Sequence, residues 1–166
     1  MTKYWKKDGK YVKVSGAYAK CADCPCGADD CTLCSGDTPL NMSVTVAGFA
    51  NGITCTDCND ANVEYICEQD AMNACKWEIN PDVELCTDDG GGVIDIEEVS
   101  AEVFDDAGDT TLRVVVSDGD SQTVQWEKVI DPFDCETSHS LASGDIVIDT
   151  WQDCDASSAS CTVENA

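Results

Sequence analysis

The chain has 166 residues with a hydrophobic fraction of 43%, which suits one folded domain with an appendage and excludes a disordered acidic protein. Its 9 basic and 33 acidic residues give a formal net charge of −24, which disfavours nucleic-acid binding because phosphates would be repelled. The sequence lacks both the roughly 18 apolar residues of a membrane span and the apolar segment of a signal peptide, so a soluble protein is expected.

The charge is distributed unevenly along the chain. Residues 1–20 hold six lysines and one aspartate and therefore have a net charge of +5. Because the whole chain has a net charge of −24, the remaining 146 residues carry −29. The acidic part favours solubility and suits a salty medium, in which charges further apart than about 8 Å are screened. The basic start is therefore the expected contact for an acidic partner.

Residues 3–14 are predicted to form a β-hairpin. Asp8-Gly9 is a strong turn signal because a type I′ turn needs positive φ at both central residues. An isolated hairpin is marginally stable in water, so it should pack either on its own domain or on a neighbouring subunit. The second interpretation makes it a docking arm, whose contact residues would be Lys3, Tyr4, Trp5, Lys6, Lys7, Lys10 and Tyr11.

A cysteine cluster follows the hairpin, and five of the 13 cysteines lie within residues 21–34. Scattered single cysteines at predicted strand ends and loops favour disulfides, for which Cys75–Cys86 and Cys135–Cys154 are candidate local pairs. The odd number leaves at least one thiol unpaired, bound to a metal or paired between chains. The disulfide candidates are Cys21, Cys24, Cys26, Cys31, Cys34, Cys55, Cys58, Cys67, Cys75, Cys86, Cys135, Cys154 and Cys161.

Metal binding is the alternative interpretation of the cluster. Two CxxC pairs, formed by Cys21, Cys24, Cys31 and Cys34, have the spacing of zinc ligands, although six residues between the pairs are few for a zinc ribbon. Acidic clusters such as residues 105–109 and 118–120 offer oxygen ligands for calcium but lack the EF-hand spacing. No cofactor is expected, and zinc or calcium remains an alternative.

Alternating apolar and polar residues predict short β-strands after the cluster. Asp118-Gly119 marks a hairpin turn between two of them, and Trp77 and Trp126 are predicted core aromatics. Glu68–Ala74 is the one helical candidate. The predicted strands cover 40–47, 62–67, 75–79, 93–96, 99–104, 111–116, 123–129 and 145–151.

Turn signals every 8–12 residues are typical of an antiparallel sandwich. The predicted fold is therefore all-β: a disulfide-stapled antiparallel β-sandwich, Ig-like or jelly-roll-like, with an N-terminal hairpin arm. Residues 1–36 would form the basic arm and cysteine cluster, and residues 37–166 the acidic sandwich.

A catalytic constellation is not recognisable in the sequence. His139 is the single histidine, and its sequence neighbours Ser138 and Ser140 do not supply the geometry of a nucleophile, base and orienting acid. Phosphate-binding loops, nucleophile elbows and paired-carboxylate signatures are also lacking. We therefore expect a protein that is not an enzyme.

The start of the chain supports a comparison with known proteins. Tyr4-Trp5-Lys6-Lys7-Asp8-Gly9-Lys10 followed by Cys21-x2-Cys24-Pro25-Cys26 resembles the N-termini of cysteine-rich β-domain proteins of bacteriophages and environmental bacteria. The run from Pro39 to Gly48 and the later Cys75-Lys76-Trp77-Glu78 are similar to their β-domain pattern. The resemblance covers about half of the chain and implies a structural or surface protein, with no catalytic residue carried over.

These observations predict a non-enzymatic structural protein of an extracellular particle, most simply a bacteriophage capsid decoration (cement) or other virion surface protein. Its partners would be capsid or other virion subunits and further copies of itself, in an oxidising virion or extracellular location. An adhesin or receptor-binding β-sandwich module is the alternative, and a zinc-binding intracellular interaction module is a further one.

Overall fold

The computed structural model describes residues 3–7, 10–14, 31–47, 63–79, 84–87, 93–95, 97–151 and 157–166. Within these ranges the chain is all-β, with fifteen strands and one 3-10 turn, η1 (Ser143–Asp145). The strands are β1 (Lys3–Lys7), β2 (Lys10–Val14), β3 (Cys34–Ser35), β4 (Asn41–Ala47), β5 (Val63–Gln69), β6 (Lys76–Glu78), β7 (Glu84–Thr87), β8 (Val93–Asp95), β9 (Glu98–Asp106), β10 (Asp109–Ser117), β11 (Thr123–Val129), β12 (Phe133–Asp134), β13 (His139–Leu141), β14 (Ile146–Asp149) and β15 (Ser160–Asn165).

Nine of these strands form one antiparallel sheet in the order β13-β15-β4-β5-β6-β9-β10-β11-β14. Neighbouring strands lie about 4.8 Å apart, so a flat sheet of nine would place its end strands about 38 Å apart. The end strands β13 and β14 are joined only by residues 142–145, a connection that spans at most about 17 Å. The sheet must therefore curl until its two ends approach each other.

A hydrogen bond across the opening of the curled sheet supports this geometry. The Lys128 ammonium on β11 donates to the Ser140 carbonyl on β13 at 2.7 Å, although the two strands are far apart in the sheet order. The indole N–H of Trp126 likewise donates to the Ala159 carbonyl, just before β15, at 3.3 Å. Opposite halves of the sheet thus enclose one core.

That core is built from the inward-facing residues of the alternating strands. Trp77 and Trp126 are both completely buried, which confirms them as core aromatics. The Trp77 indole N–H donates to the Pro39 carbonyl at 2.8 Å, so its polar group is satisfied within the apolar interior. Around the two rings lie Met42, Val44, Cys67, Val99, Ala101, Val103, Leu112, Val114, Val116, Val124, Leu141, Cys161 and Val163.

The two long hairpins β9–β10 and β10–β11 follow from local sequence. Ala107 and Gly108 both have positive φ, 55° and 101°, in the two-residue connection between β9 and β10. Glycine tolerates this conformation, and such a turn matches the twist of the flanking strands. The predicted turn at Asp118-Gly119 does connect β10 with β11.

Several sequence predictions differ from the structure. Glu68–Ala74 is not helical, because residues 68–69 continue β5 and a turn follows. In that turn the Asp70 carboxylate accepts the Met72 N–H at 2.6 Å, and the Asn73 side chain accepts the Cys75 N–H at 3.0 Å. Residues 160–165, for which no strand was predicted, form β15 inside the sheet.

Candidate functional site

The predicted docking arm is a two-stranded antiparallel sheet formed by β1 and β2, and we call residues 3–14 the arm. Its turn, residues 8–9, lies outside the described residues. The register places Trp5 opposite Val12 and Lys7 opposite Lys10. All seven predicted docking residues lie on this ribbon, which carries lysines at both of its ends.

Two disulfides tie the end of the cysteine cluster to the acidic body. Cys31 bonds to Cys75, with a Cα–Cα distance of 4.9 Å, and Cys34 bonds to Cys135, with a Cα–Cα distance of 5.7 Å. The local pairs predicted from the sequence are therefore wrong, since Cys75 and Cys135 both pair with the cluster. Sequence spacing could not find these bonds because their partners are 44 and 101 residues apart.

The pairing of two short strands, β3 and β12, positions the Cys34–Cys135 disulfide. Strand β3 runs parallel to β12, with Cys34 opposite Phe133 and Ser35 opposite Asp134. The Ser35 hydroxyl also donates to the Phe133 carbonyl at 3.3 Å. Residues 34–35 are therefore held against the body by backbone pairing, a side-chain hydrogen bond and a disulfide.

Two other predicted disulfide candidates are buried as free thiols. Cys67 lies on β5 and its thiol donates to the Val99 carbonyl at 3.6 Å, whereas Cys161 lies on β15. Burial, with a smaller contribution from the Glu78 charge, raises the pKa of Cys67 to about 12. Burial and then the Asp145 charge raise the pKa of Cys161 as well. Both side chains act as small apolar core residues.

The remaining cysteines add no described site. Cys86 lies on β7, and Cys21, Cys24, Cys26, Cys55, Cys58 and Cys154 lie outside the described residues. Cys31 and Cys34 cannot act as zinc ligands while they are oxidised, so the four-cysteine zinc set loses two of its members. Within the described ranges, no group of three or more histidine, cysteine or acidic side chains is arranged to hold a metal ion.

The calcium candidate at residues 118–120 is a turn cap. The Asp118 carboxylate accepts backbone N–H groups from Asp120, Ser121 and Gln122 at 3.0, 3.1 and 2.9 Å. Desolvation opposes ionisation of Asp118, but these hydrogen bonds outweigh it and hold its pKa below the ordinary value. The carboxylate thus stabilises the turn between β10 and β11.

His139 lies on strand β13. Its ring stacks on Phe133 with centroids 4.4 Å apart, and its Nε2 lies 2.6 Å from the Asp134 carbonyl. The Thr137 hydroxyl lies 3.3 Å from the same nitrogen. These contacts anchor β13 beside β12 and give His139 a packing role.

The outward side of the neighbouring strands β5, β6, β9, β10 and β11 is acidic. Arg113 is its main cation and pairs with Glu127 at 2.8 Å and with Glu102 at 3.7 Å, while its guanidinium lies 4.3 Å from the centre of the Phe104 ring. Lys76 pairs with Glu78, and this hydrogen bond raises the pKa of the lysine. The remaining outward glutamates, such as Glu64, Glu68 and Glu98, keep the surface negative.

Strand β14 is an apolar edge that the sequence analysis did not single out. It ends the nine-stranded sheet and pairs with β11 on one side, through Ile148 opposite Gln125 and Ile146 opposite Trp126. The register shifts between these pairs, and Ile146 packs against the core while Val147 and Ile148 are 54% and 40% exposed. In the sequence, the uninterrupted apolar run Ile146-Val147-Ile148 was the signal that could have indicated this edge.

Comparison of the chain with protein-family models, curated proteins and solved structures gave no match. Among the described residues, no helix is long and apolar enough to cross a membrane.

Proposed function

We propose that the protein is a non-enzymatic structural component of an extracellular particle, most simply a bacteriophage capsid decoration (cement) or other virion surface protein. The observation that carries the proposal is the separation of charge. A basic two-stranded arm precedes an acidic all-β body, and disulfides tie the chain between them to that body. The arm docks on an acidic partner surface, and the body faces the medium.

The arm suits docking for three physical reasons. A two-stranded ribbon gains little stability by itself, so packing on a partner would stabilise it. Its five lysines attract an acidic surface, and such attraction weakens with added salt. Tyr4, Trp5 and Tyr11 add the aromatic residues that are enriched at protein interfaces.

The body suits a location outside the cell. Disulfides persist in oxidising surroundings and limit unfolding where repair is absent. In this proposal the two halves of the curled sheet act as a β-sandwich, Ig-like or jelly-roll-like, and the acidic outward side keeps neighbouring particles apart. Homo-oligomers around a symmetric particle are expected.

The proposal is tested by sedimentation of the source culture. The native protein should cofractionate with particles, and added protein should rebind to particles stripped of it. A variant lacking residues 1–14, or the triple variant Lys6→Gln, Lys7→Gln and Lys10→Gln, should lose most rebinding. Lys128→Gln, a change outside the arm that retains a side-chain donor, is the matched control and should rebind normally.

Three results would contradict this function. If the arm-deleted protein rebinds as well as the full chain, the arm does not dock the protein. If the native protein binds host cells in preference to particles, the adhesin or receptor-binding alternative replaces the virion role. Stoichiometric zinc with reduced cysteines in the native protein would favour the intracellular module instead.

A further inference from the structure

The β14 edge has backbone groups that no described strand pairs. Among the described strands β14 pairs only with β11, so the backbone groups on its other side have no strand partner. Such an edge is a template for a further strand unless charge, proline or a covering segment blocks it. Here the exposed side chains at the centre of the edge are Val147 and Ile148.

Charges frame this apolar centre. Asp145 precedes β14 and Asp149 ends it, so five residues run from one aspartate to the other. Strand β1 has the complementary pattern over the same length, with Lys3 and Lys7 at its ends. In either strand direction the register that centres Trp5 on Val147 sets each lysine opposite an aspartate.

Alternative occupants fit less well. Two β14 edges pairing antiparallel would set Asp145 of one copy opposite Asp149 of the other, and like charges directly opposite are destabilising. The arm of the same molecule forms its own two-stranded sheet and is not paired with β14. The other end strand of the nine-stranded sheet is β13, and its Ser140 carbonyl already accepts a hydrogen bond from Lys128. This end is therefore less available to a further strand than β14 is.

We propose that the β14 edge binds strand β1 from the arm of a second copy of this chain, so that the arm extends the nine-stranded sheet of its neighbour. The inference rests on the proposed function in taking the arm as the docking element, and it names the partner. Backbone hydrogen bonds would supply affinity, and the lysine–aspartate pairs would set the register.

The proposed contact is head-to-tail. Each copy offers one arm and one edge, and these are different surfaces, so the same contact repeats from copy to copy. Such heterologous contacts close into a ring or continue as a filament, depending on the rotation between neighbours. A ring of decoration subunits around a symmetry axis would be one product.

The test is self-association of the purified full chain at low salt, measured by sedimentation velocity. Val147→Lys places a charge on the edge and should weaken association about tenfold or more. Val129→Lys is the matched control, because Val129 is 58% exposed but lies on β11 beyond the residues that pair with β14. Circular dichroism establishes that both variants are folded.

A charge exchange makes the test specific. The arm variant Lys3→Glu with Lys7→Glu and the edge variant Asp145→Lys with Asp149→Lys should each be monomeric alone, because arm and edge then carry the same sign. Mixing the two restores opposite signs and should restore association. Hydrogen exchange of the mixture should show new protection at residues 146–149.

Three outcomes would overturn this inference: a full chain that stays monomeric at high micromolar concentration, a Val147→Lys variant that associates like the wild type, or a variant mixture that stays monomeric. The proposed function is judged separately by rebinding to particles. If arm deletion abolishes rebinding while the full chain is monomeric, the docking function stands and only the arm–edge contact is wrong. If the chain associates through β14 but never cofractionates with particles, the arm–edge contact stands and the proposed function is wrong.

Discussion

Individual buried side chains explain why this sheet has a defined interior. Trp77 and Trp126 fill the core and donate their indole N–H groups to the carbonyls of Pro39 and Ala159. Each ring thus combines a large apolar area with one satisfied polar group, which joins a strand to a distant segment of the chain. The alternation around these residues was sufficient to predict that both side chains point inward.

Replacing Trp77 with alanine should therefore destabilise the fold strongly. The lost apolar contacts and the remaining cavity predict a decrease of about 3–5 kcal/mol in the free energy of unfolding. Urea denaturation followed by circular dichroism measures it. Val129→Ala, at an exposed apolar position, is the control and should change stability by about 0.5 kcal/mol or less. A similar loss in both variants would contradict the assigned core.

The buried thiols predict a dependence of stability on pH. In the unfolded chain the Cys67 thiol has its ordinary pKa of 9.0, whereas burial in the fold raises this pKa to about 12. The native state therefore keeps a proton that the unfolded state releases, so stability is full below pH 9 and decreases as the pH rises towards 12. Cys161 contributes in the same direction.

Between about pH 8 and pH 10 each thiol should cost the fold about 1 kcal/mol. Urea unfolding at the two pH values should show a smaller decrease in the double variant Cys67→Ala with Cys161→Ala than in the wild type. Mass spectrometry after brief alkylation of the native protein supplies a second check. Rapid native labelling of either thiol at pH 8 would contradict its burial.

At the scale of elements, the disulfides and the short parallel pair β3–β12 attach an otherwise irregular segment to the sheet. Cys34–Cys135 closes a longer stretch of chain than Cys31–Cys75, with separations of 101 and 44 residues. A longer closed loop removes more conformational freedom from the unfolded chain. The two bonds should therefore differ in their contribution to stability.

Removing each bond by paired substitution tests this difference. The double variants Cys31→Ala with Cys75→Ala and Cys34→Ala with Cys135→Ala should each lose about 2–4 kcal/mol, with the larger loss for the second pair. Thermal unfolding in the absence of reductant gives the comparison. Peptide mapping of the native protein without reduction should find both cross-links. Recovery of Cys75 linked to Cys86 would overturn the assigned pairing.

At the scale of the whole molecule, charge opposes compaction. The 146 residues after position 20 carry a net charge of −29, and outward cations such as Arg113 and Lys76 neutralise only their immediate neighbours. Disulfides and the apolar core offset the remaining repulsion. Salt should weaken this repulsion more than it weakens the few ion pairs.

The melting temperature should consequently rise as NaCl is increased from low salt to about 0.5 M, where the screening length is only a few ångström. A gain of about 1 kcal/mol corresponds to about 2–4 °C for a chain of this size. Differential scanning calorimetry measures the change, with sucrose at equal osmolality as the control. A constant or falling melting temperature would show that attractive ion pairs outweigh the net repulsion.

Local patterns alone determined much of the architecture. The alternation over residues 99–129 and the Asp118-Gly119 turn predicted the hairpins of β9, β10 and β11. The composition and the strand signals predicted an all-β acidic body after a basic hairpin. These features depend on neighbours a few residues apart, which the sequence displays directly. The seven predicted docking residues also lie together on the arm for this reason.

Only the tertiary structure decided how distant segments meet. The pairing of Cys31 and Cys34 with Cys75 and Cys135 depends on spatial proximity, which spacing along the chain does not encode. The position of residues 160–165 inside the sheet depends on long-range strand pairing with β4 and β13. The exposed edge at residues 146–149 likewise arises because the curled sheet ends there, so a run of three apolar residues becomes a surface rather than part of the core.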